Sequence, residues 1–236
     1  MSSPTPVPAR SAGAPLRRTA LTVTAVALAA VTALGTPVPT HAAPAAPKPP
    51  KTVYLTFDDG PHPRWTPRVL TILARHKVRA TFFQIGQNAA AHPALVRRVH
   101  RAGHSVQNHT WSHPDLRYVS GARFSREVRR TDRAVKAGTG RYPTCLRPPY
   151  GGVNRTVRER AAALGKRIRL WTVDPTDWAR PGTYAIQRRV LRQVRPGGVI
   201  LLHDGGGDRS QTVAALPYVL KELKRRGYRI KPLPCR

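Results

Sequence analysis

Residues 53–61 read VYLTFDDGP, a short apolar run that ends in two adjacent carboxylates and a Gly-Pro turn. The run is rich in β-branched and aromatic residues, which predicts a β-strand. Asp58 and Asp59 then lie where the strand ends. A solvated Asp-Gly-Pro turn has the same sequence pattern, so the meaning of the two carboxylates depends on the rest of the chain.

The remainder of the chain alternates short apolar runs with longer amphipathic segments. In the longer segments apolar residues recur at i, i+3 and i+4, which predicts helices, and glycines follow them as stop signals. Strands that alternate with helices predict an α/β fold with a parallel sheet. The predicted strands are 53–57, 80–85, 105–108, 144–147, 168–173, 198–202 and 229–233, and the predicted helices are 67–76, 93–102, 124–137, 156–164, 183–194 and 213–226.

Side chains with catalytic potential follow these strands directly. His109 comes after the third strand, Arg147 after the fourth and Asp174 after the fifth, and His203 ends the sixth. In α/β barrels the active site is built from the C-terminal ends of several strands, whereas an open sheet binds ligands at one switch point. The sequence therefore predicts a distorted, incomplete (β/α) barrel of about seven parallel strands.

His109 and His113 are four residues apart in the segment HTWSHP. On a helical turn or a compact loop, this spacing directs both imidazoles to one point. Two histidines and a carboxylate hold catalytic zinc and leave positions open for water and substrate. The same set binds non-haem iron, and two exposed histidines without a metal remain an alternative for this segment alone.

Three further segments place polar groups at neighbouring strand ends. Arg147 opens the rigid loop RPPYG, where an arginine can orient a carboxylate and a backbone N–H can stabilise an oxyanion. The segments DPTDW at 174–178 and LLHD at 201–204 supply an acid and a histidine. An Asp–His pair favours the protonated imidazole, which suits a general acid. RPPYG by itself is also typical of a structural Pro-Pro turn, and the acid or the histidine alone is weak evidence for catalysis.

Together and in this order, the five segments resemble the motifs of the polysaccharide deacetylase family (NodB homology domain, carbohydrate esterase family 4). The resemblance covers nearly all of 52–236, without a substitution at the key positions. It implies a distorted (β/α) barrel that removes acetyl groups from a polymeric sugar, most often from N-acetylglucosamine units. It also implies one divalent metal ion, with Zn²⁺ favoured and Co²⁺ or another divalent ion possible.

Amide hydrolysis needs a polarised carbonyl, a deprotonated water and a protonated leaving amine. The resemblance assigns these tasks to matched positions of this sequence. By this resemblance, Asp59, His109 and His113 bind the metal, Asp58 is the general base, and Arg147 orients that base. The backbone N–H of Tyr150 stabilises the oxyanion. His203 is the general acid and Asp174 tunes it, while Trp178 and Leu201 line the acetyl-methyl pocket.

Residues 1–42 have the pattern of a secretory signal peptide. A start with three arginines leads into an Ala/Val/Leu/Thr run of 16 residues, 19–34, and small residues near 40–42 allow cleavage before Ala43. A membrane span needs about 20 apolar residues, so a cleaved signal is favoured over a retained anchor. We therefore expect the mature protein to be secreted or associated with the cell wall.

The segment 43–51 is a Pro/Ala-rich linker, and 52–236 has the length of one catalytic domain. Cys145 and Cys235 are the only cysteines in the sequence. In an exported protein, two cysteines predict one disulfide.

The formal net charge is +30, from 41 Lys and Arg against 11 Asp and Glu. Such an excess indicates a polyanionic environment. For an exported protein we expect anionic cell-wall polymers as partners rather than nucleic acid. We also expect a monomer that acts on an acetylated polysaccharide.

Three other functions stay open at this level: an O-acetyl xylan esterase, a non-catalytic basic wall-binding domain, and an iron oxygenase. Five complete motifs argue against lost catalysis. An oxygenase would leave Asp58 and the pair of Asp174 and His203 without a task. The polymer can be peptidoglycan, chitin oligomers or acetylated xylan, and the charge favours peptidoglycan.

Overall fold

The computed structural model describes residues 51–235, so the predicted signal peptide and all but the last linker residue lie outside the described part. Within it the chain alternates strands with helices. The strands are β1 (Lys51–Asp58), β2 (Thr81–Gln84), β3 (Ser105–Asn108), β4 (Cys145–Leu146), β5 (Arg167–Ile168), β6 (Val199–His203) and β7 (Tyr228–Lys231). The helices are α1 (Trp65–Arg75), α2 (Gly86–Ala91), α3 (Pro93–Arg101), α4 (Gly121–Thr139), α5 (Arg155–Ala163), α6 (Thr183–Gln193) and α7 (Ser210–Arg225).

The strands form one parallel sheet in the order β5-β4-β3-β2-β1-β6, and β7 pairs with the first half of β1. After Ile168 the chain leaves β4 and reaches β6 at Val173, whose backbone pairs with that of Ile200. The segment 167–173 thus joins the two sides of the sheet. The predicted distorted, incomplete barrel of about seven parallel strands is confirmed.

Alternate residues of β1 face opposite sides of the sheet, as the two-residue period of a strand requires. Val53, Leu55 and Phe57 pack under the helices in the main apolar core. Tyr54 belongs instead to a small cluster with Phe83 and the C-terminal tail. Thr56 and Asp58 share the side of Tyr54, so the barrel interior is apolar at one end and polar at the other.

The prediction missed α2, because six residues are too few to show a helical repeat of apolar positions. It also overestimated the fourth and fifth strands, which pair over only two residues each. The backbone leaves regular pairing there to cross from β4 to β6. No helix among residues 51–235 is long and apolar enough to cross a membrane.

The predicted disulfide between Cys145 and Cys235 is present and ties the C-terminal tail to β4. The backbone N–H of Leu233 also donates to Thr81 Oγ1 at 2.9 Å. Both contacts lie at the N-terminal ends of the strands, opposite the side chains that follow them. A bridge over 90 residues of sequence stabilises the fold by about 4–5 kcal/mol in the chain-entropy model.

Candidate active site

The sheet brings the C-terminal residues of β1 and β6 side by side. Asp58, the last residue of β1, pairs in register with His203, the last residue of β6. On the other side of β1, backbone hydrogen bonds connect the ends of β2, β3 and β4, including His109 N–H to Gln84 O and Arg147 N–H to Asn108 O, each 3.0 Å. The predicted convergence of strand ends at one mouth is therefore observed.

Asp59, His109 and His113 form a compact ligand cluster at this mouth. Nε2 of each histidine lies 3.4 Å from Asp59 Oδ1, and that buried oxygen accepts no hydrogen bond from the described residues. His109 Nδ1 lies 2.7 Å from the carbonyl oxygen of Arg147, so Nδ1 carries a proton that it donates. In the neutral imidazole, Nε2 therefore presents its lone pair to the cluster.

Acceptor atoms that face one another in a buried site require a positive charge between them. Without a metal ion, protonation of His109 supplies part of that positive charge. Burial lowers the pKa of His109, but Asp58 and Asp59 outweigh it and raise that pKa. A divalent cation meets the need fully, because one carboxylate and two imidazoles are a standard ligand set for such ions. The residues present thus fit one divalent metal ion.

The loop between the two histidines is held by Glu127 of α4, which the sequence analysis did not single out. Its carboxylate accepts hydrogen bonds from the backbone N–H of Trp111 at 2.9 Å, and from the backbone N–H and the hydroxyl of Ser112 at 2.8 Å each. His113 itself has a φ of 60°, a left-handed conformation that needs support in a residue other than glycine. Glu127 therefore positions the loop that carries His109 and His113.

We expect Glu127→Ala to weaken metal binding about 10- to 100-fold, the usual effect of removing a group that orients metal ligands. The measurement is the metal dissociation constant, obtained by competition with a chelator. Thermal unfolding of the metal-free protein checks that the variant is folded. Glu222→Ala is the matched control, because the Glu222 side chain binds only Arg225, the last residue of α7, and Arg226, which follows it. Unchanged affinity in folded Glu127→Ala would contradict the assignment.

Arg147 is completely buried and holds Asp58 in place. Its Nη1 donates to Asp58 Oδ1 at 2.7 Å and to Thr56 Oγ1 at 2.8 Å. Nε and Nη2 donate to the carbonyl oxygens of Arg169 and Leu170, at 2.9 and 3.1 Å. These carbonyls belong to the segment that crosses from β4 to β6. One guanidinium therefore supplies hydrogen bonds to backbone carbonyls outside the regular sheet pairing and also orients the carboxylate of Asp58. The other oxygen, Asp58 Oδ2, lies 3.7 Å from His109 Nε2 and flanks the metal cluster.

The predicted pairing of Asp174 with His203 is wrong, because Asp177 makes this contact. His203 Nδ1 lies 2.7 Å from Asp177 Oδ1, and His203 N–H donates to Asp177 Oδ2 at 2.9 Å. Asp174 instead accepts from the backbone N–H of Thr176 within its own turn. Thr176 has a φ of 53°, and the 3₁₀ turn that follows directs Asp177 into the barrel.

Burial alone would lower the pKa of His203. The hydrogen bond and negative charge of Asp177, with further contributions from Asp58 and Asp59, outweigh burial and raise that pKa to about 9. The imidazole is therefore protonated at neutral pH. It can donate a proton from Nε2, since Nδ1 is engaged by Asp177.

Three predicted substrate-contacting residues lie around the same mouth. Tyr150 has a φ of 60° and packs its ring edge-on against His113, with centroids 4.7 Å apart. Leu201 is buried two residues before His203 on β6, so both side chains face the barrel interior. Trp178, on the 3₁₀ turn after Asp177, is 55% exposed. Their roles in the oxyanion site and the acetyl pocket remain predictions.

Asp204 is another buried acid that was not given a role from sequence. Its Oδ2 accepts from Thr66 Oγ1 at 2.6 Å, and its backbone N–H donates to the carbonyl oxygen of Asp58. A Cβ on Gly60 would lie 2.5 Å from Asp204 Oδ1, so only glycine fits there. Burial raises the pKa of Asp204 to about 7. The side chain supports the turn that follows Asp59.

Known proteins resemble this chain in sequence and in structure. The family model described as polysaccharide deacetylase matches residues 45–169. A chitooligosaccharide deacetylase of Bradyrhizobium sp. (strain ANU 289) is 45% identical over 78% of this chain and 90% of its own length. A peptidoglycan-N-acetylglucosamine deacetylase of Bacillus cereus is 41% identical over 76% and 84%.

A solved structure matches the described fold closely. The crystal structure of the Bc1960 peptidoglycan N-acetylglucosamine deacetylase, in complex with a naphthalenyl N-oxidanyl-benzamide, has a TM-score of 0.76 and 36% identity. The match covers 78% of this chain and 87% of that one. All three relatives are named as deacetylases, and each is covered over most of its length.

Proposed function

The chain belongs to the polysaccharide deacetylase family, and we propose that it hydrolyses the N-acetyl groups of N-acetylglucosamine units in peptidoglycan or a chitin-type polymer. The observation that carries this proposal is the grouping of three functions at one mouth. A ligand cluster of Asp59, His109 and His113 lies next to an oriented carboxylate, Asp58, and a protonated imidazole, His203. Amide hydrolysis needs all three.

A metal ion held by the cluster would polarise the acetyl carbonyl and lower the pKa of an attacking water. Asp58 takes the proton of that water. Arg147 engages its Oδ1, which leaves Oδ2 beside the cluster to accept the proton. No other carboxylate of the described residues combines a fixed position with this proximity, except the ligand Asp59 itself.

His203 donates a proton to the leaving nitrogen. An amine leaves poorly as an anion, so the reaction depends on an acid that is protonated at the working pH. Asp177 keeps the imidazole protonated and orients it through the contact at Nδ1, while its other oxygen accepts from the backbone N–H of His203. The register of β1 and β6 places this acid directly beside the base.

The chain's other residues at the mouth would hold the acetyl group. We assign the backbone N–H of Tyr150 to the oxyanion that develops on the carbonyl. Leu201 and Trp178 would contact the acetyl methyl, since one is buried inside the barrel and the other borders its mouth. The Tyr150 ring packs against the imidazole of His113, so the residue lies beside the metal cluster.

We assign Zn²⁺ to the cluster, because two imidazole nitrogens and one carboxylate oxygen suit a catalytic zinc site with open positions. Co²⁺ has similar ligand preferences and should replace it. We also propose that the enzyme works outside the cell, in the cell wall or as a secreted protein. The signal-like N-terminal sequence supports this, as does the disulfide, which is typical of oxidising compartments.

The proposed activity is tested by acetate release from chitin oligomers, peptidoglycan and acetylated xylan, each with and without a chelator. We expect release from the N-acetylglucosamine polymers. The chelator should abolish it, and added Zn²⁺ or Co²⁺ should restore it. Release from acetylated xylan alone would identify an O-esterase and contradict the proposal. Full activity in the chelator would contradict the metal assignment.

A further inference from the structure

Helix α4 carries a continuous stripe of basic side chains on its outer side. Five of them recur at i, i+3, i+4, i+7 and i+10, which places them on one face of the helix. All five are exposed, whereas the apolar residues of α4 are buried on the opposite side. The stripe consists of Arg126, Arg129, Arg130, Arg133 and Lys136.

No exposed carboxylate of α4 balances this stripe. The two acids of the helix, Glu127 and Asp132, are buried. Glu127 holds the metal-binding loop, and Asp132 contacts Lys166 at 2.7 Å and Asn108 at 2.8 Å. Helices α5 and α7 pair surface charges, as in Arg155 with Glu159 and Arg225 with Glu222, whereas α6 contains three arginines and no acid. What distinguishes α4 is that five basic side chains form one continuous stripe without an exposed acid of the same helix beside them.

The neighbouring helix α3 extends the same charged surface. A Cβ on Gly138 of α4 would lie 2.5 Å from Val96 Cγ1 of α3, so the two helices pack closely. Three exposed arginines of α3, Arg97, Arg98 and Arg101, line an open cleft of about 510 Å³ together with small alanine side chains. We call the exposed basic side chains of both helices the basic face: Arg97, Arg98, Arg101, Arg126, Arg129, Arg130, Arg133 and Lys136.

The basic face borders the catalytic mouth at Arg130. The guanidinium of Arg130 stacks on the ring of Trp111 at 3.9 Å, and Trp111 lies in the loop between the two histidine ligands. From Arg126 to Lys136 the stripe runs about 15 Å along the helix. Like charges at this spacing repel one another, and a bound polyanion relieves that repulsion while it releases counterions.

We propose that the basic face binds a linear polyanion of phosphodiester-linked polyol units, which holds the enzyme beside its glycan substrate. Guanidinium groups match phosphate oxygens with two parallel hydrogen bonds. The stripe of α4, about 15 Å long, gives the face a linear row of charges along which one polymer chain can lie. Neither helix itself exposes a large apolar or aromatic side chain among the described residues, although the centroid of the exposed Tyr142 ring after α4 lies 4.3 Å from Lys136 Nζ. The face therefore offers few groups that insert into lipid or stack on nucleic-acid bases.

Binding of the polyanion does not depend on the deacetylase assignment, whereas its use in holding the enzyme beside a glycan rests on the proposed function. The test measures the two separately. The variant Arg126→Gln/Arg129→Gln/Arg133→Gln/Lys136→Gln removes four charges and keeps Arg130 on its tryptophan. The matched control removes four exposed charges elsewhere: Arg158→Gln/Arg188→Gln/Arg192→Gln/Lys221→Gln. Binding to poly(glycerol phosphate) is measured over a series of salt concentrations, and acetate release is measured on a short neutral chitin oligomer.

We expect the basic-face variant to bind poly(glycerol phosphate) at least tenfold more weakly, with a salt slope reduced by about 3, at roughly 0.7 per lost contact. The control should change affinity less than threefold. Acetate release from the neutral oligomer should stay at the wild-type rate in both. Equal losses in the two variants, or no loss in either, would overturn the proposal. So would tighter binding of wild-type protein to single-stranded DNA or to anionic vesicles than to poly(glycerol phosphate).

Discussion

Asp58→Asn should keep its metal and lose turnover by about 10²- to 10⁴-fold, the range that general base catalysis contributes. The amide has the shape of the carboxylate and can still accept the hydrogen bond from Arg147 Nη1, which is 2.7 Å in the wild-type protein. It cannot accept a proton from water. The fold and the ligand cluster should therefore persist while the chemical step slows. The measurements are kcat on a chitin oligomer and metal content of the purified protein.

Asp59→Asn is the matched control, since it makes the same change one residue later. Asp59 Oδ1 lies 3.4 Å from the Nε2 atoms of both histidine ligands, so the neutral amide should lose metal affinity as well as activity. Added metal should restore part of the activity in Asp59→Asn and none in Asp58→Asn. Loss of metal in Asp58→Asn alone would mean that the two aspartates have the opposite roles.

The mouth of the barrel could be predicted from sequence because parallel strands carry their C-terminal residues to the same edge. Asp58, His109, Arg147 and His203 each follow or end an apolar run, and that position along the chain was enough to group them. The register of Asp58 with His203 could not be predicted in this way. It follows from the pairing of β1 with β6, two strands that are far apart in sequence.

The choice between Asp174 and Asp177 shows where the same reasoning fails. Both acids follow the fifth apolar run. An argument from distance to the strand end selects the nearer one, Asp174. The backbone decides otherwise, because Thr176 adopts a positive φ and turns the chain so that the later acid enters the barrel. Asp-Pro-Thr-Asp contains two turn-forming residues, which is a signal that the first acid is used in the turn.

Glu127 was missed for a different reason. It lies on a helix 14 residues after His113, and in sequence it looks like one charge among many on an amphipathic segment. Only its burial, set against the exposed arginines around it, distinguishes it. An acid on the buried side of a predicted helix was therefore the available signal, because buried carboxylates need specific partners.

Asp177→Asn should move the alkaline limb of the pH–rate profile to lower pH and reduce kcat at pH 8 by about 10²-fold or more. His203 acts as an acid, so activity is lost as the pH rises through its pKa. Burial disfavours the imidazolium, and Asp177 is the main group that overcomes burial to give a pKa of about 9. The neutral amide removes that charge, so the pKa falls and the acid form is lost at lower pH. A bound metal ion lowers the pKa of His203 by a similar amount in the wild-type protein and in Asp177→Asn. The prediction therefore concerns the difference between the alkaline limbs of the two proteins.

Asp174→Asn is the control for this prediction, because it makes the identical change three residues earlier, where the side chain bonds only to Thr176 N–H. Its alkaline limb should match that of the wild-type protein.

The raised pKa of His203 also makes the stability of the fold depend on pH, because the value in the folded protein, about 9, exceeds the ordinary 6.5. This contribution to the free energy of unfolding is thus complete below pH 6.5 and disappears as the pH rises through 9. Asp177→Asn should flatten that dependence in thermal unfolding, and Asp174→Asn should preserve it. A displaced limb in Asp174→Asn with a normal one in Asp177→Asn would restore the pairing that the sequence alone suggested.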